Sequence, residues 1–216
     1  MYKLVLFDMD GTIADTDGMI VATFIEMYRL YRPDYSPTIN HMLTFSGPPI
    51  FDTLAREFPD LSVDFALSEF KRLSLPNYLK HAKPFPYIHQ LTDELQKGGV
   101  KIGVVTSKHR YPAEYTLQLI KLEGVFDLLV SYDDVKEAKP NPEGIYQAMK
   151  HFEVDDKREV LYVGDTVTDY LTARNAGVDI ALVTWTPREI PANLKPDYLL
   201  DSFNEFFEVI NNGKAN

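Results

Sequence analysis

The chain has 216 residues, 45% of them hydrophobic, and a formal charge of −10 at neutral pH. That is enough apolar matter for one cored domain with an insertion, or for two small domains. The acidic balance argues against nonspecific binding to nucleic acid or membrane surfaces, which are themselves polyanionic. The absence of cysteine removes disulfides, zinc-thiolate sites and thiol nucleophiles from consideration.

The first predicted element is the apolar run Leu4-Val5-Leu6-Phe7. Four later runs of the same kind follow, at Ile102–Val105, Phe126–Val130, Val160–Val163 and Ile180–Val183. Unbroken rather than alternating apolarity means that both faces of each strand are covered. The fold class expected is therefore α/β, a parallel sheet sandwiched by helices. Helix punctuation agrees: Asn141-Pro142-Glu143 reads as an N-cap, a first helical residue and a dipole-favoured acid, and Gly98-Gly99 and Gly177 read as C-terminal stops.

More than ninety residues separate Phe7 from Ile102, too many for one crossover helix. Helical stretches are predicted there at Met19–Tyr31, Ile50–Phe58 and Val63–Lys80, with breaks at Asp15-Thr16-Asp17-Gly18 and Lys83-Pro84-Phe85-Pro86. An inserted all-helical cap is placed at 16–82, leaving 1–15 and 83–216 as the core. A helix at about 87–97 leads back to the sheet. Asn211-Asn212-Gly213 reads as a frayed polar tail. No basic segment precedes a long apolar one at the N-terminus, and no run is long enough to span a bilayer, so a soluble cytoplasmic protein is expected.

In open parallel sheets, ligands bind beyond the carboxyl ends of the strands. The residues at those ends suit one task. Asp8 and Asp10 close the first run, Thr106-Ser107 the second and Gly164-Asp165-Thr166 the fourth, with Asp169 close behind; Lys139 follows the third. Burying so many carboxylates is costly unless something pairs with them, and a cation with a phosphate would.

Toward a phosphate ester, Asp8 serves as the nucleophile that takes up the phosphoryl group. Mg²⁺ is the implied cofactor, because it keeps several waters and needs only one or two carboxylates plus substrate oxygen. Its candidate ligands are Asp8, Asp165 and the backbone carbonyl of Asp10, while Asp169 orients them and their waters. Lys139 offsets the charge of the transferring group. Gly11, Thr12, Thr106, Ser107 and Lys108 are the candidate substrate-binding residues. Asp10, two residues on, protonates the leaving oxygen and then activates water. The basic trio Lys108-His109-Arg110 as a whole reads as a solvated helix start. The stiff segment Thr44-Phe45-Ser46-Gly47-Pro48-Pro49 is either an interhelical loop or a finger onto the substrate.

In order and spacing, Asp8-x-Asp10-Gly11-Thr12, Thr106-Ser107, Lys139 and Gly164-Asp165-x-x-x-Asp169 resemble the four motifs of the haloacid dehalogenase superfamily of phosphatases. The resemblance spans essentially the whole chain. It implies a Rossmann-like core, Mg²⁺ dependence and an aspartyl-phosphate intermediate. Asp10 argues against the dehalogenase branch, which hydrolyses no phosphate. Gly47-Pro48, Asp52-Thr53, Asp133-Asp134-Val135, Lys139-Pro140-x-Pro142, Trp185-Thr186 and Lys195-Pro196-Asp197 are similar to the branch of phosphoglycolate phosphatases and inorganic pyrophosphatases. Between Asp165 and Asp169 this chain is less His-rich than those pyrophosphatases.

The function expected is hydrolysis of a small phosphorylated molecule by a monomer or weak homodimer, without nucleic-acid or membrane partners. Two alternatives stay open. One is a phosphomutase of the β-phosphoglucomutase type, although Thr12 stands where such enzymes often carry Val. The other is a phospho-aspartate receiver domain, in which an inserted helical cap is unexpected.

Overall fold

A computed structural model describes residues 2–212. Strand β1 (Leu4–Phe7) is wholly buried. It is flanked in register by β4 (Lys101–Val105) on one side and β6 (Val160–Gly164) on the other, both parallel to it. Outside these lie β5 (Leu128–Val130), β7 (Asp179–Val183) and β8 (Tyr198–Leu200), giving the parallel order β5-β4-β1-β6-β7-β8. Counting only the six sheet strands, the order is the 3-2-1-4-5-6 of a doubly wound sheet, whose direction of winding reverses between β1 and β6. Asp8 and Asp165 directly follow those two strands.

Both faces are covered, as the unbroken apolar runs require. Val5, Phe7, Ile102, Val104, Leu161 and Val163 pack on α5 (Ile88–Lys97), α6 (Arg110–Leu119) and α9 (Phe203–Asn212). Leu4, Leu6, Tyr162, Ile180 and Leu182 pack on α7 (Glu143–His151) and α8 (Val167–Ala176). Among the described residues no helix is long and apolar enough to cross a membrane.

The insertion leaves and re-enters the core through an antiparallel ribbon of β2 (Ala14–Asp15) and β3 (Lys83–Pro84). Between them run α1 (Asp17–Tyr31), α2 (Ile39–Leu43), α3 (Ile50–Glu57) and α4 (Val63–His81). These helices share their own apolar cluster, centred on Phe24, which meets Phe45, Phe58 and Phe70. Glu57 is buried beneath it, accepting from the Tyr28 hydroxyl at 2.7 Å and from Arg56 Nε at 2.8 Å.

Several details depart from the sequence reading. The third strand begins at Leu128 because Phe126 turns to pack edge-on against Phe7. Helix α7 starts one residue later than expected: Pro142 stands at the N-cap, while the Asn141 side chain still accepts from the Glu143 amide at 2.9 Å. Helix α2, strand β8 and helix α9 were not expected. Helix α9 runs through Asn212, so Asn211 and Asn212 are helical rather than a frayed tail; Gly213 lies outside the described residues. Gly177, in the left-handed conformation, ends α8 as expected.

Candidate active site

After β1 the chain turns at once. Gly11 N–H donates to Ala14 O at 2.8 Å, and the Ile13 and Ala14 amides both donate to Met9 O. This tight loop lifts Asp8 and Asp10 to the rim of the sheet. Gly11 has φ of +87°, and a Cβ there would overlap the Asp165 carboxylate and the Arg188 guanidinium. A side chain is excluded for both reasons.

Lys139, delivered by the loop after β5, is the hub. Its Nζ donates to Asp8 Oδ1 at 2.6 Å, Asp169 Oδ1 at 2.7 Å and the Tyr162 hydroxyl at 3.0 Å. Burial disfavours the ammonium, but Asp169 and Asp8 outweigh it and hold Lys139 well above the usual lysine range. Asp169 completes the capping box of α8 with the N-cap Thr166, accepting from the Thr166 amide at 3.1 Å and hydroxyl at 2.6 Å. Burial would raise its pKa; Lys139 and Thr166 pull it below the ordinary value. With its oxygens so engaged, Asp169 serves better to orient neighbours than to bind an ion.

Asp8 and Asp165 are less well compensated. Burial pushes Asp8 up to about 7 despite Lys139, with Asp169 and Asp10 adding repulsion. Burial holds Asp165 well above the usual carboxylate range, and Arg188 offsets this only in part. One Asp165 oxygen accepts from Arg188 at 2.6 Å; the other, Oδ1, is buried without a partner. Oxygens of Asp8, Asp165 and Asp169 lie within 4.8 Å of one another. An orphaned carboxylate oxygen in an all-oxygen cluster fits a hard divalent cation.

Of the candidate phosphate-binding hydroxyls, Thr106 and Ser107 share a cavity with Asp8, and Thr12 stands in the loop after β1. Thr12 Oγ1 and Ser107 Oγ are both buried with no hydrogen-bond partner. Thr106 is buried, and its hydroxyl accepts from the Lys108 amide at 3.2 Å. Ser107 is not a helix cap, since α6 starts at Arg110 with His109 before it.

The solvated reading of the basic trio fails for Lys108, while His109 and Arg110, at the start of α6, keep 29% and 41% of their side-chain surface exposed. Lys108 Nζ is buried against Asp10, at 2.5 and 2.7 Å from its two oxygens; His109 meets Asp133 at 2.6 Å and Arg110 meets Asp134 at 2.5 Å. An acid lies opposite each base, which a run of charges in sequence does not reveal. Asp10 also accepts from the Thr16 hydroxyl at 2.6 Å, and its side chain is not among the clustered ligand oxygens.

Three participants were missed in the sequence. Tyr162, buried in β6, donates to Val105 O at 3.0 Å and touches both Lys139 and Asp169. Its hint was one hydroxyl within an otherwise aliphatic run. Thr16 was read only as part of a break. Arg188 bridges Asp165 to Asp17, the first residue of α1; nothing local marks it.

A cavity of about 750 Å³, including its open mouth, extends from this floor toward the insertion. Asp8, Asp10, Thr106, Ser107 and Lys108 line one end; Phe45, Ser46, Gly47 and Pro48 line it from the α2–α3 loop. That loop is therefore more than a connection between helices.

The sequence matches the haloacid dehalogenase-like hydrolases over residues 5–183. The chain belongs to that family. It is an enzyme of the family's phosphatase kind. A relative from Bacillus cereus, strain G9842, named pyrophosphatase PpaX, is 31% identical over 210 residues, covering 96% of both chains. Among solved structures, a haloacid dehalogenase-like family protein from Streptococcus pneumoniae superposes with a TM-score of 0.83 at 24% identity, covering 97% of this chain and 98% of that one. A predicted phosphoglycolate phosphatase from Haemophilus somnus gives 0.82 at 21% identity, with the same coverage. The receiver-domain alternative falls here: receivers use the flavodoxin-like order 2-1-3-4-5, and this sheet is wound differently.

Proposed function

We propose that the chain is a Mg²⁺-dependent phosphohydrolase that transfers the phosphoryl group of a small substrate to Asp8 and then to water. The observation that carries this reading is the unequal use of the buried oxygens. Asp8 Oδ1 is tied down by Lys139, while Asp165 Oδ1, Thr12 Oγ1 and Ser107 Oγ are desolvated and unpartnered. A bound phosphoryl group with its cation supplies what each of them lacks.

Asp8, Asp165 and the Asp10 carbonyl would hold Mg²⁺, oriented by Asp169. When bound, the ion supplies positive charge that keeps Asp8 ionised and lessens its repulsion from the phosphoryl oxygens. The other Asp8 oxygen attacks phosphorus as the bond to the leaving oxygen breaks, and Asp10 gives that oxygen a proton. Water then attacks phosphorus, Asp10 takes its proton, and the bond to Asp8 breaks to release inorganic phosphate. Thr12, Ser107 and the Gly11 amide region hold the non-bridging oxygens, and Lys139 offsets their charge. Asp10, gripped by Lys108 and Thr16, must be freed from one of them to carry a proton. The helical unit at 16–82 acts as a lid that excludes water and meets the leaving group.

The test is phosphate release with and without EDTA, together with acid-quenched mass spectrometry of the Asp8 peptide. Activity is expected to vanish in chelator and return with Mg²⁺, and Asp8 to carry a transient phosphoryl group. Asp8→Asn should lower turnover by at least a thousandfold. Full activity in chelator, or in the Asn variant, defeats the reading.

A further inference from the structure

The far end of the cavity has a chemistry of its own. Ile20, Phe45, Pro48, Ile50, Leu67 and Phe70 line it from the insertion, alongside the hydroxyls of Ser46, Ser74 and Tyr78, and Phe45, Ile20 and Phe70 are buried. Three basic side chains line it: Lys108 and His109, held in this structure by Asp10 and Asp133, and Lys71. Lys71 is exposed and forms no ion pair among the described residues, so it offers one solvated ammonium at the margin. A leaving group of two or more negative charges, such as the second half of pyrophosphate, would be desolvated against hydrocarbon with little to offset it. Hydrocarbon would instead bury its own surface there.

We infer, building on the phosphohydrolase reading above, that the substrate is a phosphate monoester of a compact, uncharged, largely hydrocarbon alcohol, and that pyrophosphate is a poor substrate. The phosphoryl group lies at the floor with Asp8, Thr12 and Ser107. The alcohol carbon skeleton extends between the α2–α3 loop and α4, against Pro48, Ile50 and Leu67. Anionic metabolites whose leaving group carries a carboxylate or phosphate are disfavoured by the same walls. Specificity for the leaving group thus comes from the insertion, while the core treats all phosphoryl groups alike.

The experiment uses the full-length protein with Mg²⁺ and a straight-chain series of ethyl, butyl and hexyl phosphate. The leaving alcohols are nearly equal in intrinsic reactivity, so differences report the cavity. Phosphoglycolate and pyrophosphate are measured beside them. kcat/KM should rise about two- to fourfold per methylene, in line with full burial of each group, and hexyl phosphate should exceed pyrophosphate by at least tenfold. In Leu67→Lys the ratio of hexyl phosphate to pyrophosphate should fall at least tenfold. A flat series, or pyrophosphate as the fastest substrate, overturns the inference while leaving the phosphohydrolase reading intact. No phosphate release from any compound, with Asp8 never phosphorylated, defeats that underlying reading and this inference with it.

Discussion

Between the buried carboxylates of Asp8 and Asp169, the Lys139 ammonium is the only side-chain cation within salt-bridge distance among the described residues. Removing one partner of a buried charge cluster leaves the others uncompensated, at a cost of about 3–5 kcal/mol. Lys139→Gln is therefore expected both to lower turnover by at least a thousandfold and to lower Tm by many degrees, read by phosphate release and calorimetry. Tyr162→Phe is a milder probe of the same node. It deletes one hydroxyl that contacts Lys139, Asp169 and Val105 O, so about 1 kcal/mol of stability and roughly tenfold in activity should be lost. If Tyr162→Phe proved as damaging as Lys139→Gln, the hub would be the tyrosine. Arg188 would act in the opposite sense on the proposed metal site. It occupies one Asp165 oxygen, so Arg188→Gln should tighten Mg²⁺ binding by two- to tenfold in a calorimetric titration; weaker binding would mean that the guanidinium organises the ligands instead of competing for them.

Strand β6 shows how an element places chemistry. Its final residue, Gly164, packs so closely on Asp169 that a Cβ would overlap that carboxylate. Gly164→Ala must displace Asp169 from Lys139 and Thr166, and overpacking of this kind costs about 1–3 kcal/mol. Activity should fall further than stability does, with Lys139 reoriented; unchanged kcat would show that Asp169 tolerates the shift. The same strand marks what could be read from sequence. An apolar run followed by Gly164-Asp165 announces a buried strand and a ligand at its end, because both signals are local. Lys139 was legible through its motif for a similar reason. Arg188 was not: its partners lie 23 and 171 positions away, and only folding brings them together. Helix α9 carried a readable signal, apolar residues at Phe203, Phe206, Phe207 and Ile210, at the spacing of one helical face. Strand β8, three residues long, is too short for periodicity to identify.

Across the whole molecule, the acidic cluster would couple the proposed metal binding to stability, and its sign can be worked out. Asp8 is raised from its ordinary value of 3.8 to about 7, and Asp165 stands well above the same value. A carboxyl with a raised folded-state pKa binds more protons when folded than when unfolded, throughout the interval between the two values. Its contribution is complete below about 3.8. It is lost as pH rises, through about 7 for Asp8, and Asp165 adds a loss of the same sign. Chelated protein should therefore show a Tm that falls by several degrees between pH 5 and pH 8, a range in which carboxylates of ordinary pKa are already ionised. A cation binds the deprotonated form, so Mg²⁺ should raise Tm more at pH 8 than at pH 5. Asp8→Asn should flatten the part of the slope that ends near pH 7, because the amide does not titrate. A Tm in chelator that climbs over this range, or a Mg²⁺ increment that is larger at low pH, would mean that the buried acids stay ionised without a divalent ion and that Asp8 is not waiting for one.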